Sequence, residues 1–222
     1  KEQIEETIQD IKEVVKPFPV ELTNDLKDYL KKGSKESKLS LFYSNKKEFI
    51  WFNSDLELKP KGEELIALLS SSQEYGIDTL HFQIKKVKHL IKSKNYVEAE
   101  LFLTQSYMNF GRLISYGQIE DVSDYYSFER RVLDTNWLAI LDSGINRQTE
   151  IIDLLSYQPQ SDEYVRLQKG VSNYVKRVVL NDSTIKIREY RKDSIKTYQR
   201  ARKALVLHGV IMHDSISDSL LI

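Results

Sequence analysis

The 222-residue chain contains no cysteine. That excludes disulfide bridges, thiolate metal sites, CxxC redox chemistry and any cysteine nucleophile within it. An excess of one charge sign is also missing. Thirty-three Lys and Arg balance 33 Asp and Glu, so nothing draws the whole molecule to nucleic acid or an anionic lipid surface. The eight glycines are widely dispersed, and no GxGxxG or P-loop cradle for phosphate appears. No run approaches the roughly 18 consecutive apolar residues of a membrane-spanning helix. The polar opening KEQIEETIQD has no basic n-region and apolar h-region. The expectation is a cytoplasmic protein, or one whose export segment precedes this numbering.

What is present is enough apolar material, 41% of residues, to close the core of one large domain, or of one domain and part of a second. Ile4, Ile8, Ile11 and Val15 recur at near-helical spacing until Pro17 and Pro19 stop the pattern. A short helix follows, capped by Thr23 or Asn24 and closed by Gly33, and then a Ser/Lys stretch. LSLFYSNKKEFIWFN concentrates aromatics and predicts a short helix with a strand-like tail. KPKGEELIALLSSSQEYGID predicts a helix with Leu65, Leu68 and Leu69 inward and Gly76 at its left-handed close. A basic helix spans Phe82 to Ile91. The longest runs from Asn95 to Ser115, with Ala99, Phe102, Leu103, Ser106, Phe110, Leu113 and Ile114 on one face and Tyr107 and Met108 beside it. Helical pieces broken at Gly144 and Pro159 come next. A helix capped by Ser161 or Asp162 then carries Tyr164, Leu167, Val171, Tyr174, Val175 and Val178. STIKIREY alternates like a strand. A last helix has Asp193 as cap and Gly209 as terminator, with Ile195, Tyr198, Ala201 and Leu205 as its stripe.

No constellation marks an active site. His81, His89, His208 and His213 are scattered without an HExxH pair. Ser44/Lys47 and Ser183/Lys186 match Ser-x-x-Lys, in which the lysine draws the hydroxyl proton, but Ser and Lys are frequent enough to give such pairs by chance. Neither has the accompanying Ser-Asp-Asn or Lys-Thr-Gly element. Carboxylates read as solvated pairs on polar helix faces. The cluster Lys85, Lys86, Lys88, Lys92 and Lys94, and the face Lys196, Arg200 and Lys203, are candidate anion contacts, although exposed lysines usually only solvate a surface. The tyrosines fall mostly on apolar faces, which favours packing over an aromatic platform for a ligand.

Three segments, in order, resemble one family. FYSNKKEFIWFNSDLELKPKGEELIALLSSSQEYGID is similar to a stretch with an aromatic pair, a tryptophan, a leucine-rich helix and a Gly-Leu-Asp step. LFLTQSYMNFGRLISYGQI is similar to a helix ending in Gly and an aliphatic step. QPQSDEYVRLQKGVSNYVKRV is similar to a Pro-x-x-x-x-Tyr-x-x-Leu helix. Together they resemble the N-terminal scaffold region of YcbB-like murein L,D-transpeptidases. The final DSIKTYQRARKALVLHGVIMHDSISDSLLI is similar to the opening helix of a peptidoglycan-binding module. Thr79 stands where the family carries proline.

The resemblance implies an enzyme that forms 3→3 peptidoglycan cross-links. Its cysteine attacks a donor stem peptide, D-alanine leaves and an acceptor amine resolves the thioester. That cysteine belongs to a C-terminal catalytic domain absent from this chain, so no catalytic, cofactor or metal residue carries over. The expected fold is mainly α, an irregular helical scaffold domain with one or two short strands. The expected division is 1–38 as a helical extension, 39–191 as the scaffold and 192–222 as a truncated peptidoglycan-binding-like module. Leu65, Leu68, Leu69, Phe102, Phe110, Leu113, Tyr164, Leu167 and Val171 are the expected structural core. The resemblance further implies peptidoglycan as partner through the parent protein, and the periplasm or cell envelope as location. The alternative is a TPR-like helical adaptor. NYVEAELFLTQSYMNFG reads like one such helix, but about 34 residues onward no second copy follows.

Overall fold

The computed structural model describes residues 17–32, 38–118, 135–147, 151–179, 187 and 194–207. The fold is mainly α. Eight α-helices lie among the described residues: α1 (Val20–Lys32), α2 (Lys38–Ser44), α3 (Pro60–Ser70), α4 (Ile84–Lys92), α5 (Tyr96–Tyr116), α6 (Trp137–Arg147), α7 (Asp162–Tyr174) and α8 (Ser194–Leu207). Short 3-10 turns occupy Ser72–Tyr75, Thr79–Phe82 and Ile151–Tyr157, and a π turn extends α7 over Val175–Val179. The chain forms two compact units, Lys1–Ser72 with Ile77–Gln158, and Gln73–Gly76 with Pro159–Ile222.

In the first unit α5 is the central element. α1, α3, α4, α6 and the 151–157 turn all pack on it. Its buried residues are Ala99, Glu100, Leu103, Thr104, Ser106, Tyr107, Phe110, Gly111, Leu113 and Ile114. This face is wider than a single amphipathic stripe, as expected of a helix covered from several sides. Leu65, Leu68 and Leu69 of α3 and Phe110 and Leu113 of α5 are buried, and Phe82 meets Phe110 with ring centroids 5.9 Å apart. Phe102 sits at the rim, half-buried, beneath the Lys86 ammonium 4.9 Å from its ring centre.

Glycine decides one helix contact. A Cβ built on Gly111 would lie 2.5 Å from Trp137 Cε3 and 2.7 Å from Cδ2. The indole of α6 therefore rests directly on the α5 backbone. Nearby, Ser72 and Ile77 close on each other: the Ile77 amide donates to the Ser72 carbonyl (3.1 Å) and the Ser72 hydroxyl donates to the Ile77 carbonyl (3.0 Å). The chain thus leaves the first unit after Ser72 and returns to it at Ile77 through one pinned neck.

Several sequence expectations shift. α1 begins at Val20, directly after Pro19, and Thr23 is inside it, its hydroxyl donating back to the Val20 carbonyl (2.7 Å). α3 stops at Ser70, so Gly76 (φ +74°) closes the following 3-10 turn and not α3 itself. Gly144 does not break α6, which runs on to Arg147 while Lys61 Nζ donates to the Gly144 carbonyl (2.9 Å). The strand-like tail makes only an isolated antiparallel bridge, Phe52 to Leu58. The readings of Lys1–Lys16, Gly33, Asp193 and Gly209, and nearly all of STIKIREY, lie outside the described residues.

In the second unit, Ser161 caps α7 by accepting the Tyr164 amide. Glu74 receives Ser172 Oγ (2.9 Å) and Lys176 Nζ (2.8 Å), and Gln168 Nε2 donates to the Glu74 carbonyl (3.1 Å). These positions, 168, 172 and 176, define the packed face of α7. Leu167 is one residue, about 100° of helix rotation, off that line and is 69% exposed. It is a surface residue and not core. Tyr164 and Val171 are half-buried.

Two substitutions probe this packing by thermal or chemical denaturation. Phe110→Ala removes a buried ring and is expected to cost about 3–5 kcal/mol. Gly111→Ala forces a methyl into the Trp137 indole and is expected to cost about 1–3 kcal/mol, although alanine is the better helix former. A Gly111→Ala protein as stable as the wild type would refute the close approach of α5 and α6.

Candidate functional site

The organising site of the first unit is a buried carboxylate. Glu100 is completely inaccessible to solvent. Its Oε1 accepts the Ile50 amide (2.6 Å) and the Tyr43 hydroxyl (2.9 Å), and its Oε2 accepts the Trp51 amide (3.1 Å). Thr104, one turn further along α5, receives the Trp51 indole N–H (2.8 Å) and lies 2.6 Å from the Tyr43 hydroxyl. Four groups from α2 and the aromatic segment 49–52 are thereby tied to two consecutive turns of α5.

Local sequence explains why those amides need a carboxylate. After α2, the segment 49–59 folds back on itself. The Lys59 amide donates to the Trp51 carbonyl (2.7 Å) and the Asn53 amide to Glu57 (2.9 Å). Asn53 Oδ1 braces the turn by accepting the Asp55 and Glu57 amides. Pro60 opens α3 and keeps Lys59 extended. Ile50 and Trp51 lie on the outer side of this fold-back with no neighbouring strand, and buried amides without acceptors are costly. Glu100 supplies both acceptors. Lys59 Nζ caps the Phe49 carbonyl (2.8 Å) and its charge also favours the ionised carboxyl.

Burial is the larger influence on Glu100. It raises the carboxyl from 4.5 to about 7, against the opposing pull of the Ile50, Trp51 and Tyr43 donors. The Tyr43 phenol is held well above its ordinary range, by burial first and by the Glu100 charge second. The network closes in either state. With Glu100 ionised, Tyr43 donates to it and Thr104 donates to Tyr43. With Glu100 protonated, the carboxyl donates to Tyr43, Tyr43 to Thr104 and Thr104 Oγ1 to the Glu100 carbonyl 3.0 Å away. The network holds structure, and nothing in it is exposed to a substrate.

Among the described residues, those singled out in the sequence do not assemble into a second centre. Ser44 is at the end of α2, its hydroxyl donating to the Leu41 carbonyl (2.6 Å). Lys86 pairs with Glu98 (3.5 Å), while Lys85, Lys88, Lys92 and Lys94 are exposed. His81 and His89 are exposed as well. Ser183, Lys186, His208 and His213 lie outside the described residues. Among the described residues no group of His, Asp and Glu is arranged to hold a metal ion, and no helix is long and apolar enough to cross a membrane.

Glu100, Thr104 and Tyr43 were not apparent as a site from sequence, because carboxylates in the α5 region read as solvated. A signal existed: Glu100 stands three, four and seven residues before Leu103, Thr104 and Tyr107, on the same face. A carboxylate in that row must be paired or neutral.

A family model described as Scaffold domain matches residues 37–170. That span holds Tyr43, Ile50, Trp51, Glu100 and Thr104 and is more than half of the chain. The chain belongs to the Scaffold domain family. This is the scaffold of L,D-transpeptidase-type proteins. No curated protein and no solved structure matches the chain.

Stability is expected to depend on pH through Glu100. Unfolded, the carboxyl titrates near 4.5; folded, it titrates at about 7. Between these values the unfolded chain gives up a proton that the folded scaffold keeps, so stability falls as pH rises through this window, by on the order of 3 kcal/mol. Glu74 shifts the other way because of Lys176, so its contribution is lost only below its ordinary range. Denaturation across pH 4–8 checks this. Glu100→Gln should remove the slope, at a cost of about 1–3 kcal/mol because its amide must face a backbone N–H. Tyr43→Phe deletes a donor to the carboxylate and should extend the slope to higher pH.

Proposed function

We propose that this chain is the non-catalytic scaffold portion of a YcbB-like cell-wall L,D-transpeptidase, working in the periplasm or cell envelope. The supporting observation is that the Scaffold domain match, residues 37–170, contains the network centred on Glu100, and that its described residues present no nucleophile–base pair. Its work is mechanical. The scaffold keeps a fixed frame so that the parent's cysteine domain and glycan-binding parts stand in constant relation while a 3→3 cross-link is made. In this reading the scaffold spans 39–191, and 192–222 opens a peptidoglycan-binding-like module, so that peptidoglycan is met through the parent protein.

An adaptor of TPR type would need at least about three stacked helical hairpins. Among the described residues of the first unit, α4 and α5 pack as one helical pair, but 3-10 turns at Thr79–Phe82 and Ile151–Tyr157 replace further copies. The scaffold reading accounts for these irregular pieces better.

Inactivating the parent gene and profiling the muropeptides by mass spectrometry tests the proposal. A loss of 3→3 cross-links is expected. An unchanged cross-link profile in a strain with no other such activity would overturn it.

A further inference from the structure

The first unit contains a cleft of about 230 Å³ that the scaffold role does not use. Its walls are the start of α3, the second half of α6 and the 151–157 turn, and Tyr107 of α5 forms part of its floor with Leu141 and Leu154. The volume is below that of drug-sized pockets, about 300–1,000 Å³, and suits a ligand of amino-acid or dipeptide size.

The polar groups around it share one property. Lys61 and Asp153 both line the cleft, and neither side chain is ion-paired among the described residues. Lys61 Nζ spends one donor on the Gly144 carbonyl (2.9 Å), which fixes the ammonium on the α6 wall and leaves two donors for another acceptor. The phenols of Tyr107 and Tyr157 also line the cleft and have no hydrogen-bond partner among the described residues. Tyr107 is only 4% exposed as a residue, and it lines the cleft. Burial chiefly, and then Tyr157 and Asp153, push its titration up, and all three residues line the same cleft.

We propose that this cleft binds a small zwitterion, an amino acid or dipeptide with free ammonium and carboxylate ends, between Lys61 and Asp153. A simple anion would meet Asp153 and a simple cation would meet Lys61. A molecule carrying both charges satisfies the two side chains together, with Tyr107 and Tyr157 hydrogen-bonding its polar backbone. Leu141 and Leu154 provide an apolar floor for a small side chain. This site is independent of the transpeptidase assignment.

The test is an NMR titration of the full chain with alanyl-alanine, beside N-acetyl-alanyl-alanine and alanyl-alanine amide, which each lack one charge. Alanyl-alanine is expected to shift Leu141, Ile151 and Leu154 methyl resonances with a Kd at or below about 1 mM, and each blocked compound to bind at least about tenfold more weakly. Lys61→Met and Asp153→Asn should each abolish the preference for the free dipeptide, and Tyr107→Phe should weaken binding a few-fold. Asp153 is exposed, so its substitution leaves the fold intact, and an unmoved Trp51 indole resonance checks this. Absence of shifts at about 10 mM, equal shifts from all three compounds, or wild-type binding by Asp153→Asn would overturn the proposal.

Discussion

The first unit depends on a carboxylate standing where a β-strand would otherwise be. Residues 49–52 are aromatic and β-branched, and such segments ordinarily pair their amides with a neighbouring strand. Here the segment folds back once, makes a single bridge and leaves the Ile50 and Trp51 amides facing a helix. A helix has no free backbone acceptors on its side, because its carbonyls are occupied internally. Only a side chain can answer, and two adjacent amides suit the two oxygens of one carboxylate. Glu100 makes it possible for an extended aromatic segment to lie against α5.

The cost of that solution is desolvation of an ionisable group, and the surroundings are arranged to offset it. Two amides, a phenol and the charge of Lys59 favour the anion, while complete burial favours the neutral acid. Burial prevails over the donors and the cation, and the group titrates at about 7. Hydroxyls on Tyr43 and Thr104 can reverse direction, so the network stays satisfied in either state. Among the described residues, Ser115 Oγ is the sole buried side-chain polar atom without a partner. That completeness is what a rigid frame requires, since a half-satisfied buried network loses both stability and definition.

Rigidity also comes from close approach. Gly111 lets the Trp137 ring lie on the α5 backbone, and Trp137 in turn meets Tyr157 edge-on at 5.2 Å. The 151–157 turn is thereby held against α5 through aromatic contacts, and Lys61 binds α3 to α6. The same elements that make the frame stiff also enclose the cleft. Among the described residues Lys61 and Asp153 have no ion-pair partner, and Lys61 is anchored on the α6 wall, as expected of a preorganised recognition site.

The sequence by itself determined the mainly helical fold, the family, and much of where the longer helices run, because apolar spacing and proline and glycine punctuation act locally. The leucines of α3 and the Phe110–Leu113 face of α5 were legible for that reason. Leu167 was misplaced because its stripe was drawn from hydrophobicity, whereas the packed face of α7 is set by polar bonds to Glu74. Glu100 was overlooked because a carboxylate announces nothing about whether it meets water or amides. Those assignments belong to tertiary structure. The acceptors of Ile50 and Trp51 lie about fifty residues away along the chain, and a contact over that distance exists only once the helices have come together.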